Sequence, residues 1–233
     1  MLRDNLERVR QRVQQACQRC DRQPSSVTLI GVTKTVPSEI IRDAVALGLT
    51  ELGENRVQDA REKQTVLPRT LNPEPIRWHL VGHLQSNKAK LAVELFDVIH
   101  SVDSLALIQM LERAAQSRPR LLEVLIQVNI SGEQTKFGCR PNEVPGLIDA
   151  LRGCRQLTLV GLMTLAPFSE NPEEARPHFR NLRALRDAMS QSPHHPITPS
   201  LQLSMGMSQD FEVAIEEGAD WIRIGTAIFG ART

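Results

Sequence analysis

The chain has 233 residues, 41% of them hydrophobic and 24% charged, with a formal net charge of +1. That balance suits a globular α/β protein of one large domain or two small ones, and it excludes electrostatic capture of nucleic acid as the main task. The longest apolar runs are strand-sized, short of the roughly 20 residues a membrane span needs. Arg3, Asp4, Glu7 and Arg8 stand where a secretory signal would be apolar, so a cytoplasmic protein is expected. Four cysteines do not make a disulfide framework in a chain this long. Cys17 and Cys20 share a helical pattern with no second pair at ligand spacing, so no metal site is expected.

Leu2, Leu6, Val9, Val13 and Ala16 recur at helical spacing and predict an amphipathic helix over residues 1–22. Beyond Pro24 the period changes. Strand-like runs follow at 27–33, 51–53, 77–81, 98–102, 122–130, 157–165, 201–204 and 221–228. Helical patterns lie between them at 40–47, 57–66, 88–96, 105–115, 143–151, 175–189 and 209–217. Strands alternating with helices imply parallel pairing through right-handed crossovers. The runs VTLIGV, VLIQVNI and LTLVGLM are apolar throughout, as strands covered on both faces are. The first strand-to-helix turn, TKTVPSE, lacks the glycines of a dinucleotide-binding fold. The expectation is a single (β/α)8 barrel over 27–230, with the N-terminal helix as an extra layer or a cap on its bottom. Residues 1–233 then form one domain. The proline-rich stretches 68–75 and 190–199 read as exposed turns. His194 and His195, in the second, read as surface residues rather than ligands.

Barrels of this kind carry their sites at the carboxyl ends of the strands. Of five lysines, only Lys34 ends a buried strand, where an ammonium resists desolvation. The other strand ends present Glu54-Asn55, Gly82-His83, Asp103, Asn129 to Gly132, Met163-Thr164, Ser204 to Ser208 and Arg223 to Thr226. Ser208 reads as the N-cap of the next helix, so the amides of Met207 and Ser208 would form an anion cradle. Gly225 and Thr226 offer bare backbone and a hydroxyl beside it. A lysine opposite a phosphate cradle suggests pyridoxal 5′-phosphate, because a desolvated amine readily forms a Schiff base. Arg223 shares a strand face with Gly225 and is placed to reach the pyridine nitrogen. An arginine there leaves that nitrogen unprotonated and weakens the electron sink that carbanion chemistry needs.

Lys34 within VTKTVP, with GENRVQDA (53–60), WHLVGHLQSNK (78–88), HSVDS (100–104), QVNISGEQTKFG (127–138), GLMTLAP (161–167), LSMGMSQDFEVAIEEGA (203–219) and RIGTAIFG (223–230), resembles the pyridoxal phosphate homeostasis protein family. The resemblance covers residues 5–231 and implies a barrel like the N-terminal domain of alanine racemase. It implies pyridoxal 5′-phosphate held as an aldimine on Lys34 and serving intracellular cofactor homeostasis. Met207, Ser208, Gly225 and Thr226 would hold the phosphate, with Ser204 in the same SMGMS segment. Arg223 would face the ring nitrogen, and Asn55 would lie beside the ring with Met163 or Thr164.

Racemisation needs an acid/base on each face of the cofactor, and alanine racemases take the second from a tyrosine of a separate β-domain. This chain contains no tyrosine, and Thr233 directly follows the eighth strand. No catalytic residue is therefore expected, and the reading is a carrier rather than an enzyme. The alternative is a slow amino-acid racemase or a related catalyst. His83 would be its proton carrier, although a hydrogen-bonded structural histidine is the simpler reading. His79, on the strand itself, reads as structural, and Lys136 as either a rim residue or a solvated charge. A sugar-binding aldolase ranks lower, since no acidic partner flanks Lys34. Apoenzymes that accept the cofactor are the expected partners. Arg8, Arg12 and Arg19 offer one candidate partner surface, and without a visible apolar patch a monomer is expected.

Overall fold

The computed structural model describes residues 1–67, 75–133, 135–190 and 201–230. His194 and His195, and all of the two proline-rich stretches but Pro75 and Ser190, lie outside these. Eight parallel strands close a barrel in chain order: β1 (Thr28–Val32), β2 (Glu51–Glu54), β3 (Arg77–Leu80), β4 (Val98–Val102), β5 (Leu122–Gln127), β6 (Leu157–Met163), β7 (Gln202–Ser204) and β8 (Trp221–Ile224). The seam is the β1–β8 pair, registered from Thr28 against Trp221 to Gly31 against Ile224. Between and after the strands run α2 (Ser38–Ala46), α3 (Val57–Val66), α4 (Ala89–Leu95), α5 (Leu105–Ala114), α6 (Val144–Arg152), α7 (Arg176–Ser190), α8 (Phe211–Glu216) and α9 (Thr226–Phe229). A strand over 221–228 is not what forms. β8 stops at Ile224, and four of the residues beyond it coil into α9.

The N-terminal helix α1 (Leu2–Arg19) buries Leu6, Val9, Val13, Ala16 and Cys17, one stripe of its surface. It is a lateral layer against α8 and α9, tied to them by polar contacts at its edges. Arg12 donates to both carboxylate oxygens of Glu212 at 3.1 and 3.3 Å, and Arg19 donates to Glu216 at 2.6 Å. The Asn5 amide reaches the Ile228 carbonyl at 3.1 Å. Two of the three arginines read as a partner surface are thus spent holding the helix to the barrel. Cys17 is buried in the core, and the Cys20 thiol donates back to the Ala16 carbonyl at 3.3 Å.

The barrel has two cores. The larger lies between strands and helices and is built from aliphatic residues such as Leu52, Leu80, Ile99 and Ile222. Inside the barrel, Ile30, Val98, Leu125, Met163 and Trp221 form a separate apolar cluster. That inner space is shared with buried polar groups, namely His79, His100, Gln127, Ser204 and Arg223. A barrel interior usually fills with branched aliphatics, so this polar column is the departure that bears on the site. No described helix is long and apolar enough to cross a membrane.

If α1 is part of the folded unit, Leu6→Ala opens a cavity at a 1% exposed position. It should lower unfolding free energy by about 3 kcal/mol in urea titration, as Leu→Ala changes in cores do.

Candidate functional site

Inward-facing residues of a barrel strand recur every second position. On β1 these are Thr28, Ile30 and Val32, and the same parity carries Lys34 to the rim. Ile30 is in the inner core, while Val32 and Lys34 line a cavity of about 880 Å³ at the carboxyl ends of the strands. Lys34 is half-buried rather than enclosed. Its ammonium has no hydrogen bond or ion pair among the described residues. The turn behind it is held tightly. Thr35 takes a left-handed φ of 63°, rare for a β-branched residue. The Lys63 ammonium donates to the Thr33 carbonyl at 2.5 Å and is ion-paired with the buried carboxylate of Glu54. Glu54 also accepts from the Thr33 hydroxyl at 2.6 Å. This clamp fixes the end of β1 from behind, leaving the lysine amine forward and free.

Arg223 occupies the floor of the same cavity and is 4% exposed. Its Nη1 donates to the Ser204 hydroxyl at 2.6 Å and its Nη2 to the Thr164 carbonyl at 2.8 Å. Burial pulls its pKa down to about 10, with the Asp210 charge opposing that shift. The guanidinium therefore stays charged at neutral pH. Lys34 and Arg223 together give the cavity a positive interior.

The rim near Arg223 is made by the turns after β7 and β8. Gly206 sits at φ 93°, where an added Cβ would meet Ala214 Cβ and Phe211 Cα, so the turn after β7 requires glycine. Ser208 is not an N-cap, because α8 begins at Phe211 and is preceded by Asp210. Asp210 takes the Met207 amide at 2.6 Å, which removes that donor from the cradle. The Ser208 hydroxyl instead accepts from the amides of Gly225 and Ala227, both at 3.3 Å, and pins the two turns together. Thr226 is exposed at the mouth beside them.

Seven of the nine residues expected to bind the cofactor line this cavity: Lys34, Asn55, Met207, Ser208, Arg223, Gly225 and Thr226. Asn55 is seated by Gly82, where a Cβ would run into the Asn55 carbonyl oxygen. Met163 and Ser204 are fully buried beneath the cavity floor, and Thr164 turns its hydroxyl to the Val128 carbonyl at 2.8 Å. The simpler reading of His83, a hydrogen-bonded structural residue, does not hold, because it is exposed and has no hydrogen bond among the described residues. It lines the cavity, stacks on Phe137 at 3.8 Å between ring centroids, and has Nδ1 3.9 Å from Asp103. Lys136 pairs with Glu133 at 2.9 Å and does not line the described cavity. Phe137, Leu165, Phe168 and Met207 are exposed around the mouth, an apolar rim not foreseen from the sequence.

Residues 5–233 match the family model described as alanine racemase, N-terminal domain. The pyridoxal phosphate homeostasis protein of Aquifex aeolicus is 43% identical over 229 residues, covering 98% of this chain and 97% of that one. The chain belongs to the pyridoxal phosphate homeostasis protein family. A second member, from Pseudomonas aeruginosa, is 40% identical over 231 residues and covers 98% and 95%. Among solved structures, PipY of Synechococcus elongatus with PLP bound matches at a TM-score of 0.80 and 37% identity, over 99% of this chain and 100% of that one. An alanine racemase of Clostridium difficile matches at 0.73 with 15% identity, over 99% of this chain and 56% of its own, a likeness of fold alone.

The clamp distinguishes this family member's Lys34 turn from an ordinary exposed loop. Glu54→Ala would leave the Lys63 ammonium, 12% exposed, without its counter-charge. The loss should be about 3 kcal/mol in chemical denaturation, with faster amide exchange at Val36, whose N–H bonds the Thr33 carbonyl. Equal stability and unchanged exchange would show that the clamp holds nothing.

Proposed function

We propose that this protein holds pyridoxal 5′-phosphate covalently on Lys34 and serves intracellular cofactor homeostasis without turning over amino acids. The observation that carries the reading is the Lys34 amine, unpaired among the described residues, at a cavity floored by Arg223 and rimmed by Ser208, Gly225 and Thr226. The donor set suits the cofactor's three polar ends. The amine would meet the aldehyde, the charged guanidinium the ring nitrogen, and the two pinned turns with their backbone and hydroxyl donors the phosphate. Gly225 leaves room there, since even an added Cβ would come only within 3.4 Å of the Val32 carbonyl. Bound pyridoxal phosphate supplies an electrophilic aldehyde and an electron-withdrawing ring.

Each side chain then has a defined task. Lys34 provides the nucleophilic nitrogen, and the Glu54–Lys63 clamp behind it keeps that nitrogen pointed at the cavity. Arg223 would hold the ring nitrogen as a hydrogen-bond donor without giving it a proton, which would lower the ring's electron demand. Asn55, which lines the same cavity, would help hold the ring. Met163 supports from below the floor, and Ser204 acts through Arg223. The working unit is the single barrel domain of residues 1–233, acting as a monomer in the cytoplasm. The apolar rim of Phe137, Leu165 and Phe168 supports handover to apoenzymes that accept the cofactor.

The enzymatic alternative rests on His83, the one imidazole lining the described cavity. Racemisation would require it to work opposite Lys34, in a chain that has no tyrosine. Adding pyridoxal phosphate to the purified protein should produce a visible absorbance band that Lys34→Ala abolishes. With L- or D-alanine, solvent deuterium should enter Cα no faster than with free pyridoxal phosphate. No band in the wild type would contradict the carrier reading, and rapid His83-dependent exchange would replace it with the enzyme.

A further inference from the structure

The polar column inside the barrel is a continuous hydrogen-bonded chain. Glu51 Oε2, on the first residue of β2, lies 2.5 Å from His79 Nε2. His79 Nδ1 lies 2.9 Å from His100 Nε2, and His100 Nδ1 lies 2.9 Å from Ser204 Oγ. Ser204 Oγ accepts from Arg223 Nη1 at 2.6 Å. The chain thus runs from the amino-terminal floor of the barrel to the cavity at its opposite end. His79, His100 and Ser204 are fully buried. The Glu51 side chain is 25% exposed and borders a separate cavity of about 300 Å³ under α1.

The two ends determine every hydrogen between them. A guanidinium only donates and a carboxylate only accepts. Ser204 receives from Arg223 and so gives its own proton to His100 Nδ1. His100 then carries its proton on Nε2 and donates to His79 Nδ1. His79 carries its proton on Nε2 and donates to Glu51. Four links and four hydrogens leave one assignment with both imidazoles neutral. Desolvation, with the neighbouring His79, Arg223 and Arg77, pushes the His100 pKa well down, which agrees with a neutral ring there. Trp221 packs against both rings, at 5.5 Å from His79 and 5.2 Å from His100, and restricts their rotation. Glu123, an inward carboxylate at the same end of the barrel, is ion-paired with Arg77, which lies over the Trp221 ring, so Glu123 is not free to replace the acceptor at Glu51.

We infer that Glu51 is a positioning residue for the cofactor site, acting through the tautomers of His79 and His100 to keep the Ser204 lone pair turned toward Arg223. The inference rests on the cofactor reading above and deepens it. The guanidinium that would meet the ring nitrogen is aimed from the far end of the barrel, not by cavity residues alone. Without an acceptor at Glu51, His79 can move its proton to Nδ1, His100 can follow, and Ser204 then receives hydrogens from both sides while its own lacks a partner. Arg223 loses its fixed anchor.

The test is nitrogen-15 NMR of histidine-labelled, full-length protein loaded with pyridoxal phosphate, alongside the rate of cofactor release. In the wild type both His79 and His100 should bear hydrogen on Nε2 and none on Nδ1. Glu51→Ala should redistribute those protons and speed release by about threefold to tenfold, while Glu51→Gln, which can still accept, should stay within about twofold. Ser204→Ala breaks the link beside Arg223 and should match Glu51→Ala in release rate. A purely structural Glu51 would lower the melting temperature without this pattern of rescue. A proton on His100 Nδ1 in the wild type, or unchanged release in both alanine variants, would overturn the inference. Failure of the cofactor reading is separately visible, as no Lys34-dependent absorbance, and it would remove this inference as well.

Discussion

A guanidinium held in the centre of a barrel is the constraint on which the rest of this structure depends. Removing such a charge from water costs several kcal/mol unless hydrogen bonds compensate. Arg223 has a serine hydroxyl and a backbone carbonyl as its partners, with the Asp210 charge nearby. That arrangement explains why the interior carries Ser204, His100 and His79 in place of the usual aliphatic layer. It also explains the cavity's electrical character. Two cations, Lys34 and Arg223, face one space, and the carboxylate of Asp210 is turned to a backbone amide. An anionic ligand with an aldehyde would relieve the repulsion between them.

Alanine racemases share this barrel, yet a shared fold does not transfer a reaction. What differs is local chemistry. The chain offers an amine, a guanidinium and a pinned pair of turns, but no tyrosine. His83 is stacked on an exposed phenylalanine, in a setting more open than a buried acid/base usually has. The proposed grip, one reversible covalent bond and a few donors, would suit loading and release.

Much of this was legible in the residues. The alternation of apolar runs and helical stripes reads directly as a (β/α)8 barrel, and strand parity brings Lys34, Asn55, Arg223 and Gly225 to one end. The errors have local causes. The run after Trp221 looks apolar enough to continue as a strand, but Ser208 captures the amides of Gly225 and Ala227 and the chain turns into a short helix. Ser208 looks like a cap because serine is a favoured N-cap residue ahead of a helical pattern, yet Asp210 takes that place. Met163 and Ser204 fall below the cavity because the polypeptide reaches its lining only two or three residues later, at Leu165 and Met207. The Glu54–Lys63 clamp and the Glu51–His79–His100 chain were missed because both join different elements. Parity held a usable clue to the second: counting back by twos from Asn55 puts Glu51 on the inner face, and His79 lies two positions before the inward Val81. Pairing them still required the registers of β2, β3 and β4.

The central claim is that one lysine of five, Lys34, is the attachment point. Borohydride reduction of the protein loaded with pyridoxal phosphate, followed by peptide mass spectrometry, reads this directly. The account predicts a reduced cofactor adduct on Lys34 and on no other lysine. Modification spread over Lys63, Lys88, Lys90 and Lys136, or a Lys34 peptide that stays unmodified, would contradict it.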